Sequence, residues 1–553
     1  MARKIPVTGL QNLPPCATDF IKLVIKKMRY RRNVRAEVMA ELTAHFEDEL
    51  RDCTTDEQKQ QTAERLIAEF GDAKLLAVLL RRAKKRCRPL WRTVFARTCQ
   101  AIVILFICFI LYVAWFLTGK PVVTTDYVAQ LNKIVRPVAD ESMNAATLYE
   151  KAAELYKEST NEELSKLLHE KYGEITPEEK QRIEKWIAEN NKIFDLITTG
   201  AQKPYYWQEY KGDAMLAILM PNIAGFRNLS KALRWKIWLS AEQGRYEEAF
   251  TNIKVNYKLG QHLKGDVILI EQLVGIAIET LAVGTLRDVL SEYEIDSPNL
   301  ATFQEDFEQM IAGEDFKVSL KAEKLFMYDE IQRCFTENHF GGGHLYPSRL
   351  MALGALGKGN QLSTYEIIFE VISSPEGWLG ASQVLFFHPN KQETLQMVES
   401  FYDFWEVIAP KTPGQMHIEE FDPEKEAMTI IKGNMLLEFL TPALWKVSEL
   451  GHRVKMDVEA MLTLIAILRY RQDEGNYPEN LEELITSGYL NKLPIDAWSD
   501  KSLVYRKTDN NFILYGIGRN FEDDGGEVAR RDDGRIKLWA DDGDWVFWPV
   551  PQN

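Results

Sequence analysis

The sequence predicts a mainly α protein in four parts: a small cytoplasmic helical domain, one transmembrane helix, a large exported domain of stacked helical hairpins, and a small C-terminal α+β module with antiparallel strands. Three observations predict it. Charge is divided unevenly along the chain, one uncharged apolar stretch separates the two halves, and the hydrophobic pattern changes from helical to alternating past residue 451. The corresponding ranges are 1–90, 98–119, 120–450 and 451–553.

At 553 residues, 46% hydrophobic and 27% charged, the chain is too long for one ordinary domain and too apolar to be largely disordered. A mean hydropathy of −0.26 excludes a multi-span transporter. Through residue 100 there are 21 Lys and Arg against 12 Asp and Glu (+9); the remainder has 46 against 69 (−23), which together give the net −14. The two halves face different surroundings. Between Arg97 and Lys120 no charged side chain occurs. At ~1.5 Å per residue this stretch makes roughly 33 Å of helix, enough for a hydrocarbon core of ~30 Å.

Orientation follows from the flanks. Arg81, Arg82, Lys84, Lys85, Arg86, Arg88, Arg92 and Arg97 precede the span, which places the N-terminus in the cytoplasm and the bulk of the chain outside the inner (cytoplasmic) membrane. Next to a span, these bases act as a topogenic signal that also touches anionic lipid headgroups, and no nucleic-acid partner is expected. A cleaved signal peptide fits poorly, since a long segment precedes the apolar run and no A-x-A site follows it. Trp91 suits the inner interface, Tyr112 and Trp115 the outer one. Cys16, Cys53, Cys87, Cys99 and Cys108 lie before or within the span and only Cys334 beyond it, so the exported part has no intrachain disulfide and must rely on its core.

Residues 17–85 read as a helical unit. Asn33 is expected to cap a helix with Val34, Val38, Leu42, Phe46 and Leu50 on one face. Thr54 and Glu57 are expected to form a capping box for a second helix, which buries Ala63, Leu66, Ile67 and Phe70 and stops at Gly71. A third starts at Asp72 with Leu75, Leu76, Leu79 and Leu80 apolar. Glu41, Leu42, His45, Glu47 and Asp48, followed by Phe70, Gly71 and Asp72, make this region resemble the HAAS or permease-prefix helical domains. The resemblance covers residues 17–85 and implies a cytoplasmic module that binds a regulator or membrane partner, without catalysis. His45 itself reads as a packing or solvated residue.

Residues 140–450 carry long helical patterns and resemble no recognised family. Thr176 and Pro177 open a helix with Ile183, Trp186, Ile187, Ile193, Phe194 and Ile197 on one stripe. The run 266–290 is apolar enough for a second span, but Glu271 and Glu279 interrupt it, which predicts a buried core helix instead. Gly244, Tyr246 and Ala249 resemble the turn and second helix of a tetratricopeptide repeat; with no second copy, an irregular stack of helical hairpins is the expectation. No HExxH, GxSxG or Walker A motif occurs. Cys334, His339 and His344 around the Gly341–Gly343 triplet supply three potential ligands, but in no known metal spacing. Tyr205, Tyr206, Trp207 and Tyr210 could stack on sugars or peptides, although packing is the commoner use.

Past Gly451 a helix carries Val454, Val458, Met461, Leu462, Ile465 and Leu468 on one stripe and ends near Gly475, and a short helix follows Pro478. Two hairpins are then expected, one turning at Asp509–Asn511 and one pairing 535–539 with 545–548 across Asp542 and Gly543. Gly475, Tyr477, Pro478, Leu490, Pro494, Asp496, Trp498, Tyr505, Tyr515, Gly518, Asn520, Asp523, Asp524 and Gly525 make residues 451–553 resemble the C-terminal part of type II secretion pseudopilins. In those proteins the membrane helix runs directly into the domain, whereas here residues 120–450 intervene. The resemblance implies a calcium ion in the loop after the turn, for which Asp523, Asp524, Asp532 and Asp533 are the candidate ligands; Asp-Gly turns account for the same residues.

The functional expectation is a single-pass envelope protein that binds protein or polymer partners on both sides of the bilayer. Two alternatives use the same residues. One is an exported hydrolase or carbohydrate-processing enzyme, with paired carboxylates in the helical domain. The other is an accessory component of a type II secretion or pilus-like system, on the strength of the pseudopilin-like end.

Overall fold

The structure is a computed structural model that describes residues 10–86, 90–116, 119–218, 223–314, 317–337, 342–346, 349, 386–441, 443–532, 534–537 and 542–551. It is mainly helical, with a small antiparallel-strand module near the C-terminal end, and it divides into two compact units, Met1–Trp115 and Phe116–Asn553.

The first unit packs α1 (Pro15–Lys27), α2 (Arg32–Glu49), α3 (Asp56–Phe70) and α4 (Ala73–Arg86) around Phe20, Ile21, Val24, Val38, Phe46, Ala63 and Leu66. The caps are displaced from their expected places. α2 follows Arg31 without a side-chain cap, so Asn33 lies inside the helix. Thr55, not Thr54, caps α3 by accepting from Gln58 N, because in a Thr-Thr pair the second hydroxyl reaches the N3 amide once the helix begins at Asp56. Gly71 ends α3 at φ +72°, where a glycine has no Cβ to clash, and Asp72 Oδ1 accepts from Lys74 N and Leu75 N. Along α4 the small residues Ala73 and Ala77 are buried, while Leu75 and Leu79 face out. Lys84 reaches Glu37 at 2.7 Å and Glu41 at 2.6 Å on α2, and the exposed His45 ring meets the Phe70 ring edge at 5.5 Å.

α5 (Leu90–Phe116) leaves Ile102, Leu105, Phe106 and Leu111 more than half exposed. Its segment Val94–Phe116 is long and apolar enough to cross a membrane. The second segment that passes the same test, Leu269–Glu292, is mostly buried in protein.

The second unit begins with α6 (Tyr127–Val135), α7 (Ala146–Ser159), α8 (Glu162–His169), α9 (Pro177–Glu189) and α10 (Asn191–Ala201). The Thr176 capping box with Glu179 is present, but the expected single helix breaks at Asn190, whose backbone leaves the helical region and whose side chain bonds back to Trp186 O. Both halves still bury their stripe, Ile183 and Trp186 on α9 and Phe194 and Ile197 on α10. Three long helices follow, α11 (Ile223–Glu242), α12 (Tyr246–Gln261) and α13 (Leu269–Glu292), then α14 (Ser297–Ile311) and α15 (Lys321–Cys334). Gly244 makes the α11–α12 turn at φ +71°, and Ala249 is fully buried beyond it.

After α16 (Lys391–Ile408), α17 (Pro413–Ile418), α18 (Pro423–Ile431) and α19 (Met435–Leu440) comes α20 (Leu444–Glu474), closed by Gly475 in the left-handed conformation, and then α21 (Leu481–Thr486). α20 is one continuous helix, so the expected boundary between 450 and 451 falls inside it. It packs on α13 and α14, and one core joins Phe250, Ile253, Leu286, Phe303 and Phe307 to Ile465, Trp498, Phe512 and Leu514 of the C-terminal module. There β1 (Ile495–Asp496) pairs with β2 (Lys501–Ser502), and β3 (Val504–Lys507), β4 (Phe512–Gly516) and β5 (Trp545–Trp548) form an antiparallel sheet in that order. The first expected hairpin turns at 509–511 with Val504 opposite Tyr515. Among the described residues the second is absent: β5 pairs with β4, and Ile536 bridges back to Arg530, because a central partner strand satisfies β5; Leu538 and Trp539 of the expected strand lie outside the described residues.

Candidate functional site

The site is built by a close helix crossing. A Cβ on Gly260 would lie 2.7 Å from the Gly275 carbonyl oxygen, and one on Gly275 would lie 2.6 Å from that of Gly260, so only glycines let α12 and α13 touch backbone to backbone. The contact carries Glu279 of α13 against Lys264, just past the end of α12, with 2.9 Å between the charged atoms. Lys264 also pairs with Glu314 after α14, and the same carboxylate accepts from Tyr257 (3.0 Å) and Gln261 (2.8 Å).

Burial governs the protons here. It pushes the fully buried Glu279 carboxyl up to about 8 against the pull of Lys264. Burial also lowers Lys264, but Glu279 and Glu314 outweigh it and hold the ammonium above its ordinary value. Near pH 7 Lys264 is therefore an ammonium and Glu279 mostly protonated. Glu271, the other acid of α13, accepts from the Tyr210 hydroxyl, and burial raises it to about 7.

Glu314 also borders a cleft of about 570 Å³ enclosed by the end of α14, the 409–410 turn, α20 and the 490–494 loop. From α20 it receives Ser448, His452, Lys455, Glu459 and Leu462, whose steps of four, three, four and three keep them on one helix face. His452 Nε2 donates to the Ala409 carbonyl at 3.3 Å, since a carbonyl can only accept, and Ser448 donates to the same oxygen at 3.1 Å. Burial lowers the His452 pKa, so the ring is neutral near pH 7. Glu459 pairs with Lys492 at 2.6 Å and accepts from Ile495 N at 3.0 Å. Glu308 accepts from Gln304 (3.0 Å) and Asn491 (2.9 Å). Ile311, Leu462, Leu490 and Pro494 give the cleft apolar walls.

The residues singled out in the sequence lie elsewhere. Asp523 accepts from the Tyr515 hydroxyl (2.7 Å) and Gly525 N (2.9 Å), Asp524 from Asn520 (2.7 Å), and Asp532 is exposed in a turn. Asp533 lies outside the described residues, among which no three His, Cys, Asp or Glu converge as a metal site would require. Cys334 is buried, and burial with the nearby Glu330 pushes its thiol up to about 12. The His344 ring bonds the Thr336 hydroxyl (3.1 Å) and Phe116 O (2.7 Å), while His339 lies outside the described residues. Tyr205 donates to Asp140 O at 2.8 Å, and Arg136 stacks over Trp207 at 5.2 Å. None of the acids and bases that line the cleft stands out in the sequence; Glu279, buried behind Lys264, does, as an interruption of an apolar run. The α20 polar stripe was readable there as well, but an exposed face gives the same pattern.

No protein-family profile, characterised protein or solved structure matches this chain.

Proposed function

We propose that the chain is a single-pass membrane protein that acts by recognition, with residues 1–90 as a cytoplasmic interaction module and residues 120–553 as an extracytoplasmic unit that receives its ligand in the cleft beside α20. The observation that carries the reading is the exposed apolar face of Val94–Phe116, uncharged past Arg97 and left almost wholly uncovered by the described residues, with a run of bases before it. The HAAS-like pattern around His45 and Phe70–Asp72 supports the interaction role of the first unit. The cleft favours binding over turnover, because its acids are held in place: Glu314 by Lys264, Glu459 by Lys492, Glu308 by two amides. A general acid or base needs a free lone pair or proton facing substrate.

Photocrosslinkers at Leu75, exposed on α4, and at Lys455, exposed in the cleft, test the division of labour in intact cells. Adducts from the first site should be cytoplasmic and those from the second extracytoplasmic. The same cytosolic proteins at both sites would overturn it.

A further inference from the structure

Phe116, the last residue of the apolar helix, is also where the second unit begins, and it is buried there. Its ring lies 4.7 Å from that of His344, and its carbonyl oxygen accepts from His344 Nε2 at 2.7 Å. The chain stays pinned past this point. A Cβ on Gly119 would lie 3.2 Å from the Thr336 methyl group, and the Thr124 and Thr125 amides both donate to Gln332 Oε1, at 3.1 and 3.2 Å. Residues 119–125 therefore run along the last turn of α15. On the single-pass reading, that turn and the 342–346 segment lie at the membrane surface, because the helix that they hold by its last residue leaves the bilayer there.

The surface around this point is apolar. Val122 and Val123, between the two ties, are about half exposed; Phe387 is 77% exposed and Phe386 beside it 52%. Both phenylalanines belong to the same neighbourhood. The ring of the adjacent His388 lies 5.7 Å from that of Phe335, and Lys391 N donates to the Gly342 carbonyl at 3.1 Å. Glu337, the acid nearest in sequence to Thr336, is paired with Lys391 at 3.6 Å, and Lys120 is exposed. Consecutive exposed aromatics mark an interaction surface, and apolar side chains at a membrane surface reach about 5–10 Å into the headgroup and acyl boundary.

We propose that Phe386, Phe387, Val122 and Val123 dip into the leaflet at which Val94–Phe116 ends, so that the second unit rests on a lipid surface instead of hanging from a tether. The inference rests on the single-pass reading and adds a second membrane contact to it.

The test uses the full chain in vesicles of phosphatidylcholine and phosphatidylglycerol, with the photocrosslinker p-benzoyl-phenylalanine placed singly at Phe387, at Leu105 on the apolar helix, and at Asp509 in the polar β3–β4 turn; all three side chains are exposed. Lipid adducts are counted by intact mass after irradiation. Position 387 should take lipid about fivefold or more above position 509 and comparably to position 105. Phe386→Asp, a change at an exposed side chain, should cut the adducts at 387 severalfold and leave those at 105 unmoved. Lipid at 105 with no excess at 387 over 509, or adducts at 387 unmoved by Phe386→Asp, overturns the surface contact and leaves the span. A second copy of the chain captured at 387 in place of lipid assigns the face to a dimer and likewise overturns it. No lipid at either 105 or 387 overturns both.

Discussion

Two buried carboxyls on one helix make stability depend on pH in an unusual direction. Glu271 and Glu279 titrate at about 7 and about 8 in the folded chain, against 4.5 ordinarily. Between about pH 4.5 and those values the folded state binds protons that the unfolded state has released, so stability declines as pH rises through the window, by up to ~1.4 kcal/mol per unit per carboxyl. The thermal midpoint of the second unit is therefore expected to fall between pH 6 and pH 9. Glu279→Gln, uncharged throughout, should flatten the upper part of that fall; an unchanged slope would mean Glu279 is ionised in the fold. The acidic C-terminal loop behaves differently. Asp523 and Asp524 each spend a carboxylate oxygen on an internal donor, so calcium and chelator should give the same midpoint, and a rise with calcium would restore the ion.

At the scale of elements, glycines on two packed helices, α12 and α13, have opposite roles. Gly260→Ala gains about 1 kcal/mol of helix propensity, but its Cβ meets a backbone oxygen that cannot swing aside, so a net loss of about 1–3 kcal/mol is expected. Gly284, on α13, has nothing within 4 Å of an added Cβ, and Gly284→Ala should stabilise by about 0.5–1 kcal/mol. Paired denaturation curves check both signs. Thr55→Ala removes the α3 cap at about 1 kcal/mol and should speed amide exchange in 56–70 while leaving 223–292 unmoved. These features differ in how readily the sequence reveals them. The helix start at Thr176, the Gly244 turn and the Gly475 stop were legible because each is set by a few adjacent residues. The α3 cap slipped by one residue because Thr54 and Thr55 are locally equivalent, and the break at Asn190 was hidden by a stripe that continues across it. β5 was assigned to its sequence neighbour although its partner, β4, lies past a long polar loop.

At the scale of the molecule, the cleft was not legible because residues 308–314, 409–410, 448–463 and 490–494 meet only after α20 docks on α13 and α14. The candidate span was legible for the opposite reason: twenty-two consecutive uncharged residues, 98–119, mark it without any long-range contact. The account depends on that span more than on any other feature. Its most direct test is a pair of compartment reporters on the full chain, a fluorescent protein that matures only in the cytoplasm and a phosphatase active only outside it. The fluorescent protein should be bright at the N-terminal end and dark at the C-terminal end, with the phosphatase the reverse, and the chain should stay in the membrane pellet after alkaline washing. Matching signals at both ends, or release into the supernatant, would contradict the account.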